Sequence, residues 1–171
     1  MLLGGAGTAA AQSDVFMCVD GIDGGSTDAE FADCSAISGV SYAVGVEGGA
    51  PPSGGGGAAP RPTCGLYVVS KAIDDASILL LIDSLRGRHL PEVDFAVRTR
   101  GESPLVTFEL LLRDVLVVEV KQNLAAASES PVETIVLQPA QVTWRFTPQD
   151  ATGAAGTPIE GGFDCVRGRR L

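Results

Sequence analysis

Thr107-Phe108-Glu109-Leu110-Leu111-Leu112-Arg113-Asp114-Val115-Leu116-Val117-Val118-Glu119-Val120-Lys121 is the stretch on which the fold class turns. Phe108, Leu110, Leu112, Leu116, Val118 and Val120 recur at even spacing, the period of two that sets side chains on one face of a β-strand. Asp114 alone interrupts that register, and a bend or bulge is expected at Arg113-Asp114.

The same alternation runs through Val40, Tyr42 and Val44, through Val93, Phe95 and Val97 against Asp94 and Arg98, and through Val142, Trp144 and Phe146 against Gln141, Thr143 and Arg145. One segment departs from it. Ile78, Leu81, Ile82 and Leu85 follow helical spacing, with Asp74 or Asp75 as N-cap and Arg86-Gly87 as a stop. The pattern predicts one short helix among about eight strands. Leu79 and Leu80 fall off that apolar stripe, and leaving either in water forgoes about 1.5–3 kcal/mol of burial. A long loop or a neighbouring subunit could cover them.

Composition agrees with a β-rich chain. The 171 residues include 22 glycines and 10 prolines but only 5% aromatics, which suits short strands and turns within one domain. The net charge of −9 and a pI near 4.4 exclude a protein that grips nucleic-acid phosphates. Apolar runs such as Ile78 to Ile82 and Val115 to Val118 fall far short of the roughly 20 residues that span a bilayer, so no membrane insertion is expected.

Residues 1–13 read as a leader. The uncharged Met1 to Gln12 has small residues at Ala9 and Ala11, where a signal peptidase cuts, but lacks a basic start. It is either the end of a secretory signal or a leader without structure. Residues 14–171 read as the folded domain. Gly48 to Pro62 holds ten of the glycines and prolines in fifteen residues, which marks a long loop, and Asp150 to Gly162 reads as a second loop before the last strand.

Catalytic patterns are missing. His89 is the single histidine, in the turn leaving the helix, with no G-x-S-x-G elbow and no cysteine at a nucleophile's spacing from it. Gly4-Gly5-Ala6-Gly7 and Gly21 to Gly25 form no phosphate-binding loop. Asp20, Asp23, Asp28 and Glu30 cluster at a Gly-rich turn but fail the EF-hand spacing, so they read as a solvated acidic turn rather than a metal site. Arg167, Arg169 and Arg170 read as a solvated end. Cys18, Cys34, Cys64 and Cys165 contain no C-x-x-C pair, and four cysteines permit three disulfide pairings or, alternatively, buried thiols.

Taken in order, these segments resemble the haemolysin-coregulated protein (Hcp) family, the tube subunits of bacterial type VI secretion systems, from about Asp14 to Arg170. Phe16-Met17-Cys18-Val19-Asp20-Gly21-Ile22-Asp23-Gly24 is similar to the family's opening strand and turn, and Val69 to Ser77 to its run into the helix. Gly87-Arg88-His89-Leu90-Pro91-Glu92-Val93, Val97-Arg98 with Gly101, Phe108 to Val117, Glu133 to Gln149 and Gly162 to Val166 resemble its later strands.

The resemblance implies a mainly β fold: an Hcp-like β-barrel of two packed antiparallel sheets with one short flanking α-helix. It implies hexameric rings stacked into a tube, with sheath, spike and effector proteins as partners, and neither cofactor nor catalytic residues. Such a chain is made in the cytoplasm and then secreted. Leu79 and Leu80 become candidate inter-subunit contacts, as do Gly54, Gly55 and Gly56 in the family's extended loop. The four cysteines and the leader set this chain apart, and suggest a Sec-exported, disulfide-stabilised variant acting as a binding module or extracellular filament. If the first and last strands are neighbours, the expected pairs are Cys18 with Cys165 and Cys34 with Cys64.

Overall fold

The computed structural model describes residues 12–47, 61–125, 130–150 and 152–171. The leader through residue 11 and the loop glycines Gly54, Gly55 and Gly56 lie outside the described residues. The elements are β1 (Ser13–Val19), β2 (Ser35–Tyr42), β3 (Gly45–Glu47), β4 (Arg61–Thr63), β5 (Tyr67–Ala72), α1 (Ser77–Arg86), β6 (His89–Thr99), β7 (Val106–Asn123), β8 (Val132–Phe146), β9 (Ile159–Asp164) and β10 (Arg169–Arg170).

Six of these strands close on themselves in the order β8-β5-β2-β1-β6-β7, with β7 pairing back onto β8. Every pairing is antiparallel. The barrel expected from two packed sheets is thus one continuous ladder whose opposite walls meet across the core. β8 makes closure possible by sharing an edge: Val132–Leu137 pairs with β5, and Gln141–Phe146 pairs with β9. Pro139 stands at the hand-over, where a residue without an N–H costs no ladder bond. β9 begins at Ile159, so the last four residues of the segment read as loop to Gly162 are strand. β3 and β4 form a separate two-stranded hairpin.

The predicted bend is present, and it reverses the expected register. Asp114 adopts φ 51°, and the buried positions change from Leu110 and Leu112 before it to Val115 and Val117 after it. Leu116 is only partly buried and Val118 is exposed, contrary to the alternation read from the sequence. The neighbours step together. Buried positions pass from Leu90 to Val93 on β6 and from Pro139 to Val142 on β8, at the level where Glu92 faces Arg113 and Gln141 faces Arg113. Pro91 and Pro139, each lacking an N–H, flank this level.

The helix also turns a different face inward. Ala76 and Leu80 join the core cluster, while Ile78, Leu79 and Leu85 are exposed and Leu81 and Ile82 only partly covered. Leu80, at 1% exposure, is thereby corrected from an inter-subunit contact to a core residue of its own subunit. The cap position is Ala76, without a side-chain bond. Asp74 acts just before it, accepting the Ala76 N–H at 3.1 Å. Gly87 stops the helix at φ 61°, with the amides of Gly87 and Arg88 bonded to Ser84 and Asp83 carbonyls.

Candidate functional site

No catalytic constellation assembles among the described residues, and no group of three or more His, Cys, Asp or Glu there could hold a metal ion. His89 opens β6 and pairs its Nδ1 with Asp114 Oδ1 at 2.6 Å, both side chains exposed. What the sequence brings together are two charged clusters that fix the barrel's attachments, and apolar surfaces left bare around it.

The first cluster holds α1 to the barrel. Lys71 on β5 and Glu133 on β8 face each other across the ladder, with Nζ and Oε1 2.9 Å apart and both side chains 0% exposed. Lys71 also pairs with Asp74, and Ser77 Oγ donates to Glu133 Oε1 at 2.7 Å. Gln122 Nε2 reaches the second Glu133 oxygen at 2.9 Å. Two buried charges are tolerable only when each lone pair and proton is matched in this way.

The second cluster absorbs half of the acidic turn. Arg98 on β6 pairs with Asp28 at 2.5 Å and with Glu30 at 3.3 Å. Its guanidinium lies over the rings of Phe16 and Phe31, 5.1 and 5.3 Å from their centroids, and those rings stack at 4.4 Å. Its hydrogen bonds hold the Asp28 carboxyl well below the usual carboxylate range. Asp28 therefore anchors the turn to the barrel wall, while Glu30 reaches Arg98 from a side chain that stays 58% exposed.

The cysteines pair as Cys18 with Cys34 and Cys64 with Cys165, which corrects both expected pairs. The reason is topological: β1 lies between β2 and β6, while the last long strand β9 lies on β8. Cys18 lies one residue from the end of β1, beside the start of β2, where Cys34 precedes Ser35. Cys64 follows β4, and Cys165 follows β9 next to that hairpin.

Among the described residues, three bare apolar surfaces remain. Ile78, Leu79 (48% exposed) and Leu85 (83%) form the outer face of α1. Val44 and Val46 with Pro62, Trp144 and Phe163 line a groove of about 580 Å³ between the β3–β4 hairpin and the β8–β9 wall. Phe146 and Ile159, cross-strand partners, are both exposed. Of the expected contacts, Leu79 is on such a surface. The hairpin side of the groove was not legible in the sequence: Val44 reads there as the continuation of the Val40-Tyr42 alternation, whereas β2 ends at Tyr42 and Val44 and Val46 are exposed beyond it.

A family model described as "Type VI secretion system effector, Hcp" matches residues 16–146. Protein Hcp1 of Pseudomonas aeruginosa is 29% identical over 97 residues, which is 56% of this chain and 60% of that protein; the match therefore spans less than two thirds of that relative. Among solved structures, a type six secretion system protein superposes with a TM-score of 0.85 at 23% identity, covering 94% of this chain and 100% of the other. Hcp1 from Salmonella typhimurium gives 0.74 at 23% identity over 95% and 100% of the two chains. A type VI secretion system effector from Yersinia pestis gives 0.65 at 24% identity over 88% and 99%.

Proposed function

The chain belongs to the Hcp family of type VI secretion system proteins, and from that premise we propose that it is a structural subunit of the secretion tube. Copies close into a hexameric ring, rings stack, and the hollow tube is exported with small effectors in its lumen. The bare outer face of α1, with Ile78, Leu79 and Leu85, is the observation that carries this reading. Three large side chains on one face of a helix whose other face is already packed call for a covering partner, and a second copy supplies it. Sheath and spike proteins are the further partners this role requires.

The native mass of the purified protein, with negative-stain imaging of the same sample, tests the reading. A mass near six chains and six-fold rings or tubes are expected; a monomer overturns it. The two disulfides favour a second reading, in which the chain reaches an oxidising compartment as a Sec-exported barrel serving as a binding module or extracellular filament. A monomer with both bridges intact is the result expected of the binding module.

A further inference from the structure

We propose that the Cys64–Cys165 disulfide is an exchange site for small anionic thiols, and that opening it frees the β3–β4 hairpin from the barrel. The bridge ties together two sheets that share no ladder: β3 and β4 pair with each other, whereas Cys165 follows β9 and its amide donates to the Ala140 carbonyl of β8 at 2.9 Å. Cys165 is partly exposed and lines a cavity of about 570 Å³ with Pro62, Val166, Arg167 and Gly168. The charged side chain at that cavity is a cation. Arg167 pairs with Asp164 at 2.9 Å yet remains 64% exposed.

The other bridge has the opposite surroundings. Cys18 lines a cavity of about 560 Å³ with Asp20, Glu92, Asp94 and Arg113, three carboxylates against one guanidinium. Partial desolvation at the cavity wall, and after it the charge of Glu92 and Glu109, pushes the Asp94 carboxyl up to about 6 against the opposing Arg113. A thiolate carrying its own carboxylates is drawn towards Arg167 and repelled from Asp20, Glu92 and Asp94. Moreover, Cys34 stays hydrogen-bonded to its turn through Ser26 and Phe31 at 2.9 and 3.3 Å, so breaking Cys18–Cys34 leaves that loop in place.

The exchange runs in two displacements. A thiolate sulfur attacks Cys165 Sγ, forming a mixed disulfide there and expelling Cys64 as a thiolate, which takes a proton from water. A second thiolate then attacks the attached thiol's sulfur, leaving as the oxidised thiol dimer and releasing Cys165. Two thiols thus lose the two electrons that reduce the bridge. The site holds whether or not copies form tubes.

The test treats the full oxidised chain with glutathione, quenches by alkylation at intervals and maps labels by mass spectrometry. We expect a glutathione adduct on Cys165, and labelling of Cys64 and Cys165 about tenfold faster than of Cys18 and Cys34. That ratio should shrink with neutral 2-mercaptoethanol, in high salt and in Arg167→Gln. Equal rates, Cys18–Cys34 opening first, or a ratio indifferent to Arg167→Gln overturns the selectivity. Hydrogen exchange should then rise at the amides of residues 45–47 and 63 after opening while the barrel amides stay protected; an unchanged hairpin overturns the release.

Discussion

Lys71 carries its ammonium into the barrel wall with no exposed side-chain surface, and its partner Glu133 is equally enclosed. Truncating one member strands the other, so Lys71→Met is expected to cost about 3–5 kcal/mol in urea unfolding, whereas Lys71→Met with Glu133→Leu should recover most of that loss. A double variant no more stable than the single one would show that the pair itself is the stabilising element. Lys71, Asp74 and Ser77 are legible in the sequence as the approach to a helix, but Glu133 lies 56 residues beyond Ser77, and no local pattern links them. The cysteine pairs failed in the same way, because pairing depends on which strands become neighbours. Asp94 sits in a different balance. Its folded pKa, near 6, lies above the unfolded value of about 3.9, so its ionisation opposes folding fully above pH 6 and the penalty is relieved as pH falls from 6 towards 4. Asp94→Asn should therefore raise stability at pH 8, by at most ~1 kcal/mol at so exposed a site, and give no gain at pH 4; equal gains at both pH values would contradict this.

At the scale of the element, the long strand and the helix were both recognisable, yet the helix buries a face other than the one its spacing suggested, and the strand does so beyond Asp114. In β7 the cause is Asp114, whose left-handed backbone passes the buried phase from Leu112 to Val115. Periodicity counts positions and cannot register a half-turn of the chain. Asp114→Gly should be tolerated, whereas Asp114→Val should lose about 1–2 kcal/mol more than the glycine variant in thermal unfolding; similar midpoints for the two would remove the bend from the account. In α1 the sequence holds more apolar positions than one face needs, and the core takes Ala76 and Leu80. On the proposed reading, that surplus is what makes α1 an assembly surface. Leu79→Glu with Leu85→Arg should leave the unfolding free energy within about 0.5 kcal/mol of the parent, as surface changes do, while lowering the native mass towards one chain. Rings of undiminished mass would move the contact elsewhere.

For the whole molecule, charge is the quantity that composition states and no single element does. The chain's formal charge of −9 becomes −54 in a ring of six, six times the single-chain value. Ring contacts must then overcome mutual repulsion, and stacking must do so again between rings of the same sign. The described ion pairs, such as Arg98 with Asp28 and Arg113 with Glu92, return carboxylates to partners within one chain but leave the net excess unchanged. Screening acts over about 10 Å at 0.1 M salt and about 3 Å at 1 M, distances comparable to the gap between apposed surfaces. Apolar contacts such as the α1 face are not weakened by salt in this range. Filaments seen by negative-stain microscopy should therefore lengthen as salt rises from about 0.01 to 1 M. Shortening over the same range would mean that attraction between opposite charges on adjoining rings, rather than apolar burial, holds the stack together.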